Sequence, residues 1–302
     1  MCDIEKKLLL VGDNPFHGIS HLSQAKARVR DAEVAYPEYA ANLVMTSLEN
    51  GANGFMFSVS EMTLSILRII NERGRVNSLR LYPIVPYAFE YVRLATRIGI
   101  GGLAKNFGKE IAFSGNVKAM SMGLKGVMRM DPVALLKTYL YYEISRIKSS
   151  AGQRAKLCSV LLHEVVTDMA LALNLDWLFK SYVEFMLNIG MKPGFNTRNF
   201  AYLVNKFREW DLDLREMIIA APFNKKGFQM DPSKTECERA LANIPEPNVI
   251  AISILAAGYL KPLEAIDYIA TLPNIKGVAV GVSKERHATE TFNLIKGSFE
   301  GF

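Results

Sequence analysis

The chain has 302 residues, of which 50% are hydrophobic, and its formal net charge is +6. This length and apolar content suffice for one large core, and a closed α/β barrel commonly has this size. The lysines and arginines are spread along the chain, so a nucleic-acid surface is not expected.

The cysteines and the apolar runs favour a cytoplasmic protein. Cys2, Cys158 and Cys237 have no paired spacing, which is typical of a reducing compartment and predicts no disulfide framework. No apolar run reaches membrane length, and the amino-terminal residues do not have the pattern of a signal peptide. We therefore expect no membrane partner.

The first part of the chain predicts three strands and four helices, judged from apolar runs and helical apolar stripes. The predicted strands span residues 7–12, 54–59 and 79–85, and the predicted helices span residues 22–35, 39–48, 61–73 and 89–98. Residues 99–130 then break this alternation with many glycines and lysines. They predict an excursion from the fold, either a loop that closes over an anionic ligand or a mobile or partner-packed insertion.

The second part predicts five more strands and the helices that follow them. The predicted strands span residues 156–162, 192–195, 217–221, 249–256 and 277–281, and helices are expected at residues 131–148, 176–188, 202–210, 231–242 and 262–270 and after Ser283. Non-alternating apolar strands are typical of a parallel sheet covered by helices. Eight strand–helix alternations predict a (β/α)8 TIM barrel, with residues 1–302 as a single domain and an insertion around 99–130. An open doubly wound sheet is the main alternative, but no Gly-x-Gly-x-x-Gly motif follows the first strand.

Polar residues follow most of the predicted strands, where such a barrel carries its reactive groups. His163 ends an apolar strand and could donate, accept or shuttle a proton, unless it is a buried histidine with satisfied hydrogen bonds. Asp13, His17 and Glu61 follow the first two strands and complete the candidate catalytic group. A metal site built from Asp13, His17, His21 and His163 is the weaker hypothesis, because the chain contains no His-x-His motif.

Five segments of the chain resemble the aldo-keto reductases. Residues 253–260 are similar to the loop after the family's seventh strand, and residues 281–291 to the unit that binds the adenine nucleotide end of the cofactor. Residues 161–164 resemble the strand that ends in the family's catalytic histidine. Residues 194–200 resemble its Gly-x-Ser-Asn-Phe segment, and residues 222–224 resemble the strand whose tyrosine stacks on nicotinamide.

The resemblance implies a TIM barrel that binds NAD(P), or another phosphorylated or anionic small molecule, at the carboxyl ends of the strands. Carried over residue by residue, it implies the following cofactor-binding residues: Asn196, Phe223, Ser253, Leu255, Gly258, Gly281, Ser283, Lys284, His287 and Glu290. Phe223 takes the place of the stacking tyrosine, and Gly281 that of the lysine which contacts the 2′-phosphate in many members.

The family's catalytic tetrad of Asp, Tyr, Lys and His is matched only at His163. Residues 56–58 stand where the family has its Asp, and residues 84–87 end the third strand without its Lys. The sequence therefore favours an oxidoreductase-like barrel with an altered active site. Two alternatives stay open. The first is a hydrolase or lyase that uses His163 with Asp13, His17 or Glu61, either with a metal or by acid–base catalysis. The second is a non-catalytic ligand-binding barrel.

Overall fold

The structure is a computed structural model that describes residues 7–17, 36–74, 78–86, 131–245 and 248–299. The predicted helices at 22–35 and 89–98 and the predicted excursion at 99–130 lie outside these ranges. None of the helices within the described ranges has both the length and the apolar character needed to cross a membrane.

Nine strands in the described ranges form one closed parallel barrel. They are β1 (Leu8–Gly12), β2 (Gly54–Ser58), β3 (Leu79–Val85), β4 (Ala155–Leu157), β5 (Ser159–Leu162), β6 (Lys192–Asn196), β7 (Ile218–Pro222), β8 (Asn248–Ile252) and β9 (Ile275–Gly281). All pairings are parallel: β1 pairs with β2 and β2 with β3, β3 pairs with both β4 and β5, each strand from β5 to β8 pairs with the next, and β9 pairs with β1. Because β4 and β5 both pair with β3 and follow each other directly, they fill one barrel position. The predicted eight-position (β/α)8 barrel is confirmed.

Helices cover the outside of the barrel. In the described ranges they are α1 (Pro37–Glu49), α2 (Glu61–Arg73), α3 (Pro132–Ala151), α4 (Glu164–Ala172), α5 (Asp176–Asn188), α6 (Phe200–Glu209), α7 (Lys234–Ala242), α8 (Pro262–Ala270) and α9 (Glu285–Phe299). The predicted start of α3 is confirmed, since the Asp131 carboxylate accepts hydrogen bonds from the backbone N–H groups of Val133 and Ala134. Gly74 ends α2 in the left-handed conformation, as predicted.

Three predicted element boundaries are wrong. Helix α7 begins after Ser233, whose hydroxyl accepts a hydrogen bond from the backbone of Glu236, and not at Pro232. The predicted strand 249–256 ends at Ile252, because Ser253, the next residue, has a φ of 53°, which leaves the extended conformation. The predicted strand 156–162 is interrupted at Cys158.

The apolar side chains form two separate cores. Leu8, Leu10, Met56, Tyr82, Ile84, Cys158, Leu161, Ile218, Ala220 and Ile250 form a cluster inside the barrel. Alternate strand residues such as Leu162 and Phe195 join a larger cluster between the barrel and the helices. Cys158 is buried in the inner cluster, and Cys237 is free and buried.

This alternation decides which strand-end residues face the barrel axis. Leu161 belongs to the inner cluster, so His163, two residues later, also lies on the inner side. Leu162 pairs with Phe195, which places His163 beside Asn196 at the ends of neighbouring strands. The mouth of the barrel therefore brings these two polar side chains together.

Candidate functional site

His163 links strand β5 to helix α4. Its backbone N–H donates to the carbonyl oxygen of Val85 at 2.7 Å and extends the sheet by one residue. Its ring Nδ1 accepts a hydrogen bond from the backbone N–H of Val165 at 3.1 Å, so the imidazole is the N-cap of α4. Since Nδ1 is the acceptor, the neutral ring carries its proton on Nε2. His163 is therefore held as a hydrogen-bond donor through Nε2.

The environment of His163 favours the neutral imidazole. The side chain is buried, with 7% of the residue exposed. Burial lowers the pKa of His163 below its usual value, and the nearby Arg198 guanidinium lowers it further. The carboxylates of Glu164, Asp13 and Asp168 raise this pKa, but their combined effect is smaller than that of burial and Arg198. The ring is thus neutral at neutral pH.

Asp13 and His17 form a buried pair at the end of β1. Asp13 follows the strand directly, and His17 lies in the 3₁₀ turn Asn14–His17. The Asp13 Oδ2 atom accepts a hydrogen bond from the backbone N–H of Ser58 at 2.6 Å and lies 3.0 Å from His17 Nε2. Because the Asp13 charge also acts on His163, the structure brings three of the four predicted catalytic residues into one neighbourhood.

Glu61 lies apart from this group. It is the first residue of α2, its side chain is 65% exposed, and it forms ion pairs with Arg146 and Arg68. The geometry gives Glu61 a surface contact between α2 and α3.

Asn196 offers a buried hydrogen-bond acceptor at the mouth. It ends β6 and is 6% exposed, and its side-chain Oδ1 has no hydrogen-bond partner. A buried polar atom without a partner costs roughly 1–3 kcal/mol, so such atoms commonly meet a water or a ligand. Asn196 therefore marks a position where a ligand can donate a hydrogen bond.

A charged cluster joins the ends of β5 and β6 at the rim of the mouth. Arg198 forms an ion pair with Glu164 through one terminal nitrogen, and its backbone N–H donates to Asp168 Oδ2 at 3.2 Å. The Thr197 hydroxyl donates to the other oxygen of Asp168, whose pKa is raised by burial. The Nε atom of Arg198 is buried and has no partner.

Asp168 is the residue that sequence reasoning missed in this cluster. It lies four residues after Glu164, and both are on the same face of a helix that directly follows a strand end. This i, i+4 spacing of two carboxylates is the signal that could have identified it. Helix α4 was not predicted from the sequence. Without a helix, the four-residue spacing did not indicate that the two carboxylates lie on the same face.

Two of the four predicted cofactor residues near β7 and β8 pack against the outer core. Phe223 is 0% exposed and packs edge-on against Phe200, with ring centroids 5.1 Å apart, between the barrel and the helices. Leu255 is partly buried against the same core. Ser253 is half-buried, and Gly258 is exposed with a φ of 90°. The Phe223 ring is therefore not available to stack on a ligand at the mouth.

The predicted cofactor residues near β9 lie on an exposed helix start. Lys284, His287 and Glu290 are exposed, and Glu290 forms a surface ion pair with Arg286 at 2.6 Å. Gly281 packs closely against the turn after β1, and Ser283 is half-buried. The backbone N–H groups at the start of α9, together with Lys284, would suit an anion.

Two cavities lined by described residues lie at the other end of the barrel. The larger measures about 330 Å³ and is lined by residues including Leu81, Ile147 and Ala155. The smaller is next to the first residues of β3 and β4. In the described ranges, no group of three or more His, Cys, Asp or Glu side chains is arranged to hold a metal ion.

The fold is similar to that of aldo-keto reductase structures. Two structures of a candidate aldo-keto reductase from Pseudomonas aeruginosa align with TM-scores of 0.55 and 12% sequence identity, over 98% of this chain and 93% and 92% of theirs. An aldo-keto reductase from a Medee basin deep-sea metagenome library has a TM-score of 0.49 and 10% identity, over 87% of this chain and 85% of its own. No family model and no curated protein sequence matches the chain. At 12% identity the similarity confirms the predicted resemblance for the fold alone.

Proposed function

We propose that this protein is a TIM-barrel enzyme that transfers protons on a small carbonyl compound at the carboxyl-terminal mouth. The observation that carries this proposal is the neutral His163, held as an Nε2 donor within reach of the Asp13 charge. A donor to the substrate oxygen and an acid–base pair beside it are the two parts that proton abstraction next to a carbonyl needs.

In this proposal His163 binds the carbonyl oxygen. A neutral imidazole donates a hydrogen bond to the oxygen as negative charge develops there, and the surrounding burial strengthens that bond. Asp13 and His17 act as the acid–base pair. The Asp13 carboxylate orients the His17 ring and stabilises the imidazolium that forms when the pair accepts a proton from carbon.

The fold family implies a nicotinamide cofactor, and the residues fit that group only in part. The position expected to stack on nicotinamide is Phe223, which is sealed in the outer core. The start of α9 with Ser283 and Lys284 suits a phosphate, and Asn196 could accept a hydrogen bond from an amide. The Phe223 ring is therefore not available as a stacking partner for a nicotinamide ring at the mouth. An NAD(P)-linked oxidoreductase with an altered active site is the second candidate function, and the Ser283 and Lys284 segment supports it.

Proton exchange in deuterated water tests the first proposal. The protein is incubated with small aldehydes, ketones and 2-oxo acids, and loss of the proton signal beside the carbonyl is followed by NMR. We expect exchange faster than in buffer alone, and a decrease of about 10²- to 10⁴-fold in His163→Asn and Asp13→Asn. Asp176→Asn is the matched control, because Asp176 is an exposed carboxylate on α5 paired with Lys180.

The other functions predict different outcomes of the same experiment. Consumption of NADPH with a carbonyl compound, without exchange, would support the oxidoreductase. Binding of a compound with neither exchange nor NADPH consumption would support the ligand-binding barrel. Exchange that is unchanged in both active-site variants would contradict the assignment of His163 and Asp13.

A further inference from the structure

Two buried polar atoms without partners lie two residues apart at the end of β6. One is the Oδ1 acceptor of Asn196, and the other is the Nε donor of Arg198. Each carries the free-energy cost of a buried group that has lost water and gained no partner. Their polarities are opposite, so one ligand that offers both an acceptor and a donor could satisfy both atoms.

The guanidinium of Arg198 is held in place before any ligand arrives. One terminal nitrogen is paired with Glu164, and the Arg198 backbone N–H is bonded to Asp168. Both partners belong to α4, which begins directly after His163. A positioned guanidinium with a donor left over is suited to a carboxylate or phosphate oxygen, since charge-assisted hydrogen bonds are the strong ones.

The carboxylates near Arg198 disfavour a ligand with two negative charges. Glu164, Asp168 and Asp13, like Arg198, all act electrostatically on the pKa of His163. Their oxygens already accept hydrogen bonds from Arg198, Thr197 and Ser58, respectively. A phosphate dianion would meet repulsion from these carboxylates, whereas a carboxylate carries half of that charge.

We propose that the ligand at this mouth is a short hydroxy carboxylate, whose carboxylate binds Arg198 and whose neighbouring hydroxyl donates to Asn196. The inference rests on the proposed function and deepens it by naming the substrate class. A carbonyl on the same molecule would then lie near His163, whose inner-facing position is next to that of Asn196.

Three small probes separate the two contacts. Glycolate has both the carboxylate and the hydroxyl, acetate has only the carboxylate, and glycolamide has the hydroxyl without the charge. Dissociation constants are measured by two-dimensional NMR titration of the full chain, with inorganic phosphate as a fourth probe. We expect glycolate to bind most tightly. Equal binding of glycolate and glycolamide, tighter binding of phosphate, or no binding of glycolate would overturn the proposal.

Variants of Arg198 test whether that residue is the anion site. Arg198→Gln should weaken glycolate binding about 10- to 100-fold and leave glycolamide binding nearly unchanged. Arg286→Gln is the matched control, because Arg286 is also paired with a glutamate but lies on the exposed side of α9. If Arg198→Gln does not fold, Arg198→Lys serves instead, since lysine keeps the positive charge but lacks the planar guanidinium with its several N–H donors. Equal weakening of glycolate and glycolamide, or none, would contradict the assignment.

The failure of this inference can be told apart from the failure of the proposed function. Proton exchange on a neutral ketone such as dihydroxyacetone requires His163 and Asp13 and does not require an anion contact. Exchange on dihydroxyacetone without glycolate binding would overturn the substrate class and leave the proton-transfer function standing.

Discussion

Replacement of His163 by alanine should destabilise the protein by the cost of a helix cap. The change removes the Nδ1 acceptor of the Val165 backbone N–H, which is bonded at 3.1 Å and begins α4. Loss of an N-cap side chain costs about 0.5–2 kcal/mol of unfolding free energy. A cost of about 1 kcal/mol corresponds to roughly 2–4 °C in the melting temperature of a chain of a few hundred residues. His163→Asn should be closer to the wild type, since asparagine is a good cap.

The destabilisation by His163→Ala should also depend on pH. Burial lowers the pKa of His163 in the folded state below that of the unfolded chain, which is about 6.5. The folded state therefore binds the proton less readily, so the contribution of the neutral ring is complete above pH 6.5 and is lost as the pH falls below it. The difference in stability between the wild type and His163→Ala should be larger at pH 8 than at pH 5.

Urea unfolding at the two pH values measures both effects. Ser233→Ala is the control, because Ser233 caps α7 through the backbone N–H of Glu236 and does not titrate. The loss of unfolding free energy caused by Ser233→Ala should be the same at pH 8 and pH 5. An equal loss of unfolding free energy for His163→Ala at both pH values would refute the neutral ring. A His163→Asn variant as unstable as His163→Ala would refute the assigned cap. A loss of several kcal/mol would instead indicate a core residue.

Two further predictions concern the loops that surround the mouth. Gly281→Ala would place a methyl carbon 2.7 Å from the Pro15 ring, and such overpacking should cost roughly 1–3 kcal/mol in urea unfolding; unchanged stability would show that this contact is loose. Asn224→Ala removes two hydrogen bonds, one to the backbone oxygen and one from the backbone N–H of Phe228. It should cost about 1–3 kcal/mol, whereas Lys225→Ala, at an exposed ion pair, should cost less than about 1 kcal/mol; equal losses would argue against the buried amide as the anchor of this loop.

The fold was predictable because its local signals agree with its packing. Apolar runs without alternation indicated strands covered on both sides, and Asp131 and Gly74 marked helix ends that the structure confirms. The boundary errors arose where two local rules competed. The Asp-Pro pair at 231–232 resembles a helix start, but Ser233 offers the next hydroxyl and takes the cap. The apolar run after Ile252 resembles a strand, but its backbone turns left-handed at Ser253.

The site was only partly predictable, because side-chain direction and long-range pairs decide it. The position of His163 at a strand end was predicted from the apolar run before it, and the structure confirms that position. Phe223 was misplaced because a one-residue difference along a strand changes the face on which a side chain lies. Glu61 pairs with Arg146, which is 85 residues away in the sequence, and no local pattern reports such a pair. Asp168 required a helix that the sequence did not indicate.

The protonation state of His163 depends on opposing effects on its pKa, and the sequence alone does not show which of them is larger. Three carboxylates lie near the ring, and a count of charges alone would predict a protonated imidazole with a raised pKa. Burial opposes that outcome, and Arg198 acts in the same direction as burial. The hydrogen bond from Val165 to Nδ1 adds a geometric reason, because that nitrogen can accept only while it is unprotonated. The same strand end that places His163 at the mouth therefore keeps it neutral, with its proton on Nε2, where a donor suits a developing negative charge on a carbonyl oxygen.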